Sequence, residues 1–464
     1  MSFDLRHTLP GSRALVVGAA RSGVAAARLM RRHGLAVTAC DRRAEAEVGE
    51  PARALERSGV TCAWGRDDAG LLAGHDFLVW SPGIPFEHPL GSAARAAGVP
   101  VLGELELGYR ASHAPFVCVT GKNGKSTTTD LVGALLRAAG REVEVCGNIG
   151  RAVCEVADQV SPTGLLVVEV SSFQLETVDR LRPSIATWLN LTPDHMDRHR
   201  TLAAYAAEKQ RLFARQTETD WAILNADDPE VTSRRVGDGI PSEFSVVRSV
   251  EEGAFAEPGP AGPTLVLAHR GGRERLMPRE EVLLRGPHNL ANVLAALATV
   301  LPLEPGAGVL RRVLREYRGL EHRLEPAGEL HGVRFVNDSK ATNTDSLRVA
   351  LQSFPEPVVL IAGGRDKGQD FRPLAPLVRR AVRHLVLIGE GAETLARAWP
   401  EVPQSRASSI ADAVEQAFEA ARAAGATVLL SPGCASFDMF KDYEDRGRRF
   451  KEEVARLAAK GVTA

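Results

Sequence analysis

Residues 115–130 read PFVCVTGKNGKSTTTD, and this stretch decides the class of fold. Phe116–Val119 is a short apolar, β-prone run, and 129–138 has helical periodicity. Between them lies a glycine-containing turn that would aim backbone N–H groups at an anion from a helix N-terminus. Gly121 and Gly124 permit the tight geometry, with Lys122 and Asn123 between them. Lys125 supplies a point charge, and Ser126 or Thr127 a hydroxyl for Mg²⁺. The standard Walker spacing would need glycine at 119, where Val119 stands, so only the shorter G-x-x-G-K-S-T is present. The stretch reads as a phosphate cradle, against the alternative of an ordinary strand–turn–helix connection.

The same alternation extends along the chain. ALVVGAARSGVAAARLM (14–30) reads as strand, glycine turn and helix, and AVTACD (36–41) as a second strand ending in an acid. Gly18-x-Ala20-x-x-Gly23 with Asp41 downstream is a loose dinucleotide fingerprint. HDFLVWSPGIP (75–85) adds an apolar segment and a turn. After the phosphate loop, GLLVVEVSSFQLE (164–176) and SIATWLNLTPDHMD (184–197) each run from an apolar strand into polar residues. That is the pattern of a parallel sheet with a site at its C-terminal edge. Residues 237–287 look like hairpins, and 289–300 like a helix. From about 320 the strands VRFVND, PVVLIAGG, HLVLIGE and ATVLLSPG alternate with helical stretches. The expected fold class is α/β, with three consecutive α/β domains over 1–110, 111–319 and 320–464.

A chain of 464 residues is too long for one core. With 44% hydrophobic and 25% charged residues it has the composition of a soluble globular protein. A net charge of −1 gives no field favouring nucleic acid or an anionic membrane. No apolar run reaches transmembrane length and the start lacks a signal core, so no membrane insertion is expected. Six scattered cysteines without C-x-x-C pairing fit a reducing cytoplasm rather than a disulfide scaffold or zinc site.

Several clusters carry chemistry or a blander role. Glu169, at a strand end near the phosphate loop, can hold Mg²⁺ directly or through water, or cap a helix. TPDHMDRHR (192–200) places His195 and His199 where they could share a helix face, as in a transition-metal site, or be merely solvated. Cys434 reads as a small buried cysteine rather than a nucleophile, and the Arg-rich 446–453 as a solvated helix face.

The ordered combination is more specific than its parts. TGKNGKST, GNIG (147–150), EVSSFQLE, NLTPDHMDRH, HNLANVLAA (288–296), EHRLE (321–325), NDSKATN (337–343), GGRDKG (363–368) and SPGCASFDMFKDYEDRG (431–447) follow one another over essentially the whole chain. That string resembles the Mur ligases, ATP-dependent amide-forming enzymes of peptidoglycan precursor synthesis, and within them those adding D-glutamate to UDP-N-acetylmuramoyl-L-alanine. The resemblance implies a Rossmann-like UDP-binding domain, a central P-loop ATPase-like domain and a C-terminal Rossmann-like domain receiving the amino acid. It also implies ATP as co-substrate and Mg²⁺ as cofactor. The mechanism it implies is that of the family, in which an acyl phosphate forms on the alanyl carboxylate and is attacked by the D-glutamate amine. A cytoplasmic monomer is expected, with small-molecule partners only.

Residue roles follow from the matching motifs. Gly121–Thr127 and Lys125 are implied at the ATP phosphates, Ser126 or Thr127 with Glu169 at one Mg²⁺, and His195 at a second. Lys209, in YAAEKQRLF, matches a lysine the family carries as a carbamate, which turns an ammonium into a carboxylate-like metal ligand. Asn289 and Asn292 are implied near adenine, Arg323 at the phosphates and Asp338 at the ribose. Ser22, Arg43, Ser81 and Gly83 are implied at the UDP group, and Asn148 at the muramoyl group. Lys340, Thr342, Lys367, Ser436 and Tyr443 are implied at D-glutamate, whose two carboxylates need cations and hydroxyls. One departure is Lys122, where these ligases carry Thr or Ser.

Four rival readings remain at this point, one of them a nucleotide-binding regulator without turnover, against which the full set of catalytic positions argues. A Mur-type ligase for another amino acid would be favoured by a D-N-P-R-like motif, which is absent. A folylpolyglutamate synthetase lacks the first domain that residues 1–110 supply. An NAD-dependent oxidoreductase is suggested by the first glycine turn alone.

Overall fold

The computed structural model describes residues 5–85, 87–234, 236–260, 262–284, 286–366 and 368–461. Three sheets follow in chain order. The first contains β1 (Arg13–Val17), β2 (Ala36–Asp41), β3 (Thr61–Trp64), β4 (Phe77–Trp80) and β5 (Val101–Gly103), all parallel in the order β3-β2-β1-β4-β5. Strand order reverses beside β1, which opens a crevice beyond the C-terminal ends of β1 and β4.

The second sheet holds β6 (Phe116–Thr120), β7 (Val143–Gly147), β8 (Leu165–Glu169), β9 (Ile185–Trp188), β10 (Trp221–Asn225), β11 (Ile240–Ser245), β12 (Gly253–Glu257), β13 (Thr264–His269) and β14 (Gly272–Pro278). Its order is β14-β13-β12-β11-β10-β9-β6-β8-β7. β6, carrying the phosphate-loop stretch, lies between β8 and β9, so their C-terminal ends converge on one edge. β6 and β8 are buried along their whole lengths, which is why both read as continuous apolar runs. The hairpin-like region only partly behaves as hairpins. β11 pairs in parallel with β10 and β12, and antiparallel pairing begins at β12–β13.

These two sheets belong to one compact unit, the chain up to Leu283 together with Asn289–Tyr317. Leu284–His288 and the chain from Arg318 onward form a second unit. Its sheet contains β15 (Glu325–Leu330), β16 (Val333–Asn337), β17 (Val358–Gly363), β18 (Val382–Ile388), β19 (Gln404–Ala407) and β20 (Thr427–Gly433). The order is β15-β16-β20-β17-β18-β19, parallel except for β15. The helix Ile410–Ala424 covers one face through Val414, Ala417 and Phe418. Leu347, Phe371 and Trp399 fill the other.

Candidate active site

The phosphate loop is built by backbone that only glycine tolerates. Gly121 (φ 151) closes β6 and Gly124 (φ 83) opens the helix Lys125–Ala138. A Cβ at Gly124 would lie 2.1 Å from Asn292 Oδ1. Asn292 is buried, and its amide donates to Asn289 Oδ1 at 3.0 Å, so the two predicted asparagines pair and Asn292 packs against the loop. The first helical turn has no intrahelical acceptor for its amides, which leaves an anion-binding end at Lys125–Thr127.

Asn190 was not singled out from sequence, yet it shapes the loop. Its Oδ1 accepts from the amides of Lys122 and Asn123, both at 2.9 Å, and its Nδ2 donates to Asn123 O at 3.0 Å. The only sequence signal was an amide at the end of the β9 run. Lys122 donates through Nζ to Pro193 O at 3.0 Å. Lys125 Nζ donates to Lys122 O at 2.7 Å, which folds the cation over the loop.

Glu169 ends β8 and is 2% exposed. Its Oε1 accepts from Asn148 Nδ2 at 2.7 Å, whereas Oε2 is buried with no hydrogen-bond partner among the described residues. A buried carboxylate oxygen left without a donor is costly unless a cation completes it. Ser126 and Thr127, also buried, begin the helix that follows the adjacent β6. Carboxylate and hydroxyl oxygens are a donor set for Mg²⁺, so these residues fit a hard divalent ion.

Lys209 is 1% exposed, with Nζ donating to Gly121 O at 2.9 Å and lying 4.6 Å from the centre of the Tyr205 ring. Burial, then the charge of Lys125, pushes its ammonium well below the usual lysine range, while Asp194 and Glu169 oppose that shift. Lys209 is therefore not an exposed helix lysine.

His195 is exposed, in left-handed backbone (φ 54), with its ring 4.8 Å from that of Phe173. His199 is buried on the same phenyl ring and bonds Ser172 Oγ through Nε2 at 2.9 Å. The two histidines therefore do not present a matched pair to one ion, and His195 alone remains a candidate ligand.

In the first sheet, a cavity of about 620 Å³ is lined by Gly18, Ser22, Arg43, Ser81, Gly83 and neighbouring residues. The predicted UDP residues thus meet at one crevice. Asp41 is occupied on both oxygens, by the Ala19 amide and the Arg43 guanidinium. Burial opposes its ionisation, but hydrogen bonds from Arg43 and Ala19 prevail and hold the carboxyl at about 2. In a dinucleotide site that acid would be turned toward a ribose hydroxyl. Here it fixes Arg43.

In the second unit, Asp338 follows β16, with Oδ2 accepting from Ser431 Oγ at 2.8 Å and Oδ1 from Leu324 N at 3.2 Å. Burial pushes its carboxyl up to about 7. Arg323 exerts a favourable charge on it. Lys340 Nζ stands 5.9 Å from the centre of the Tyr443 ring, and Ser436 is buried just beyond β20. Thr342 lies two residues beyond Lys340, its amide donating to Lys340 O at 2.9 Å. Lys367 lies outside the described residues.

The 446–453 stretch is not wholly a solvated face. Arg446 is 1% exposed and donates to Ser339 Oγ and O and to Cys434 O, which ties the segment after β16 to that after β20. Phe450 is buried as well. Among the described residues, Glu321, His322 and Glu325 also have metal-compatible spacing. Lys451 Nζ already sits on both of those carboxylates, at 2.5 and 2.9 Å.

Comparison with known proteins is consistent along the whole chain. Residues 12–103 match the Mur ligase MurD-like N-terminal domain, 119–300 the Mur ligase middle domain, and 322–434 the Mur ligase glutamate ligase domain. UDP-N-acetylmuramoylalanine--D-glutamate ligase of Geobacter metallireducens is 42% identical over 452 residues, covering 97% of this chain and 98% of that protein. The protein of the same name from Myxococcus xanthus is 43% identical over 457 residues, covering 97% and 99%. The crystal structure of UDP-N-acetylmuramate-alanine ligase from Thermotoga maritima shares the fold, with a TM-score of 0.58 at 16% identity over 96% of this chain and 99% of that one.

Proposed function

The chain belongs to the Mur ligase family, and from that premise we propose that it joins D-glutamate to UDP-N-acetylmuramoyl-L-alanine with ATP, for peptidoglycan synthesis. The observation that carries the chemistry is the buried oxygen of Glu169 without a partner among the described residues, on the strand beside a glycine loop that ends in Lys125. The amino acid and sugar are carried by the full-length likeness to ligases of that name. The oxidoreductase alternative loses its main polar group, because Asp41 is spent on Arg43 and Ala19.

A carboxylate is a poor electrophile, and oxide is a far worse leaving group than phosphate. The alanyl carboxylate therefore takes the γ-phosphoryl group of ATP, and ADP departs with the electron pair of the broken P–O bond. The neutral amine of D-glutamate then attacks the acyl carbon, its surplus proton passes to solvent, and phosphate departs with the electron pair of the C–O bond. Lys125 and the first helical amides hold the phosphates and offset charge that moves during transfer. Glu169 with Ser126 or Thr127 would hold Mg²⁺, and His195 a second ion; bound there, such cations offset repulsion between the two anionic substrates. Gly121–Gly124 keep the backbone close to the phosphates, and Asn289 and Asn292 brace the loop beneath the nucleotide.

We assign Lys209 the role of a carbamate. Support comes from its burial and depressed basicity, since CO₂ adds to the neutral amine. Ser22, Arg43, Ser81 and Gly83 are assigned to the UDP group, Asn148 to the muramoyl side, and Arg323 and Asp338 to ATP. Lys340, Thr342, Lys367, Ser436 and Tyr443 are assigned to D-glutamate, within a division of the chain at about 110 and 319. The described residues include no helix long and apolar enough to cross a membrane. A monomer acting in the cytoplasm completes the proposal, with light scattering as its check.

The test is phosphate release from ATP with UDP-N-acetylmuramoyl-L-alanine and a panel of amino acids. D-glutamate should far exceed L-glutamate and L-alanine, because inverting a stereocentre between two anchored carboxylates misaims the amine. Equal turnover with L-alanine or a diamino acid would overturn the assignment.

A further inference from the structure

Arg198 lies three residues beyond His195, in the short helix Met196–His199. Its Nη1 donates to Pro82 O at 2.7 Å and its Nη2 to Ile84 O at 3.3 Å. Nη2 also pairs with Glu176 at 2.5 Å, and the guanidinium lies 4.2 Å from the centre of the Phe173 ring. The side chain is 12% exposed. Pro82 and Ile84 belong to the turn after β4, whose Ser81 and Gly83 are assigned above to the UDP group. Two further bonds fix that turn, from Ser81 Oγ to Gly18 O at 3.0 Å and from Trp80 Nε1 to Ile84 O at 2.9 Å. Arg198 thus links the His195 segment of the second sheet to the UDP turn of the first.

We propose that Arg198 is a positioning residue for the acceptor substrate, setting the distance between the turn that grips UDP and the segment that carries His195. The inference rests on the UDP assignment above. Its charge is already answered by Glu176, which leaves geometry as its contribution. A guanidinium suits that task, since its donors form a planar fork and cannot be rearranged independently. The backbone supports the same conclusion. His195 (φ 54) and Arg200 (φ 64) bracket the short helix in left-handed conformation, which persists in non-glycine residues only where surrounding contacts over-determine it. Arg198 to the turn and His199 to Ser172 Oγ are such contacts. A substrate held at both ends registers a change in this spacing, whereas UDP alone touches only the turn.

The experiment uses the full chain with Arg198→Met, which keeps an apolar stem over Phe173 without donors, and Arg198→Lys, which restores one donor group. Phosphate release gives kcat and a KM for each substrate, and calorimetry gives the Kd of UDP. For Arg198→Met, KM for UDP-N-acetylmuramoyl-L-alanine should rise and kcat fall by roughly tenfold each, as misplacement on the ångström scale produces. KM for ATP and D-glutamate and the Kd of UDP should stay within about threefold, and Arg198→Lys should show the same split at smaller size. Should Arg198→Met fail to fold, the Lys variant decides by that split. An unchanged KM for the UDP-sugar substrate, or equal weakening of UDP and the full substrate, would overturn the proposal. A wild-type chain that never turns over UDP-N-acetylmuramoyl-L-alanine would instead overturn the reaction assignment.

Discussion

Gly124→Ala separates the two demands that the phosphate loop makes on its backbone. The first is conformational: at φ 83 any residue with a Cβ sits in left-handed backbone, at a cost of about 1–2 kcal/mol. The second is spatial, because the new methyl would lie 2.1 Å from Asn292 Oδ1 and 3.1 Å from its Cγ. Asn292 is short and buried, and it must swing away, losing its bond to Asn289 at a penalty of about 1–3 kcal/mol. Gly140, just beyond the other end of the same helix, has φ 81 and nothing within 4 Å of the position its Cβ would take. Gly140→Ala therefore reports the conformational cost alone, about 1–2 kcal/mol, and Gly124→Ala the sum, about 2–5 kcal/mol. Left-handed strain is present with or without ATP and leaves affinity untouched. A displaced Asn292 no longer braces the loop that receives the nucleotide, so KM for ATP should rise about 10- to 100-fold in Gly124→Ala only. Thermal melting and phosphate-release kinetics on both variants check this. Equal melting shifts with an unchanged KM for ATP in Gly124→Ala would refute the reasoning.

Three other expectations follow from the same edge of the second sheet. Glu169→Gln should lose at least ~10² in kcat, the scale of removing one preorganised electrostatic group, yet melt no lower than wild type in chelator, since a buried carboxylate oxygen left without a donor is gone; an equal Mg²⁺-dependent rise in melting temperature for variant and wild type would contradict it. Lys125→Ala should lose at least ~10² in kcat, whereas Lys122→Thr should stay within about tenfold, below about 1.4 kcal/mol. The Lys122 amine bonds Pro193 O, whereas Lys125 Nζ bonds the loop carbonyl Lys122 O; equal damage in steady-state assays would show that reading to be wrong. For Lys209, removal of CO₂ or acidification should lower activity, and Lys209→Arg should be nearly inactive because the required species is negative. Near-normal Arg activity would exclude the carbamate. The sign of the linked stability also follows. The unmodified lysine has a folded pKa below its unfolded value, so between the two the unfolded chain binds more protons, and stability rises with pH across that window. A pH series of melting curves on CO₂-depleted enzyme, compared with Lys209→Met, measures it.

What sequence carried well was everything encoded within a single element. Strands β6 and β8 are buried from end to end and read as apolar runs, and the glycines flanking Lys122 and Asn123 announced the turn. What it carried poorly was contact between segments distant in the chain. Asn190 lies 67 residues from Asn123 and Arg198 lies 116 from Pro82, and neither position differs locally from any polar residue after a strand. Arg446 misled for a related reason. An Arg-rich helix looks solvated by composition, but one guanidinium turns inward to acceptors 107 and 12 residues away. The glycine fingerprint at 18–23 shows the same limit from the other side. Its glycines are required by close approach, since a Cβ at Gly23 would meet Gly18 O at 1.8 Å, and that requirement holds for any nucleotide placed there. Discrimination rests on Asp41, whose partner Arg43 is only two residues away, and a side-chain bond of that kind leaves no periodic trace. Backbone shape is therefore legible from residue type, and ligand identity only from which side chains answer one another. The Arg198 experiment bears on that second kind of information, because it alters a contact between distant segments without substituting any assigned site residue.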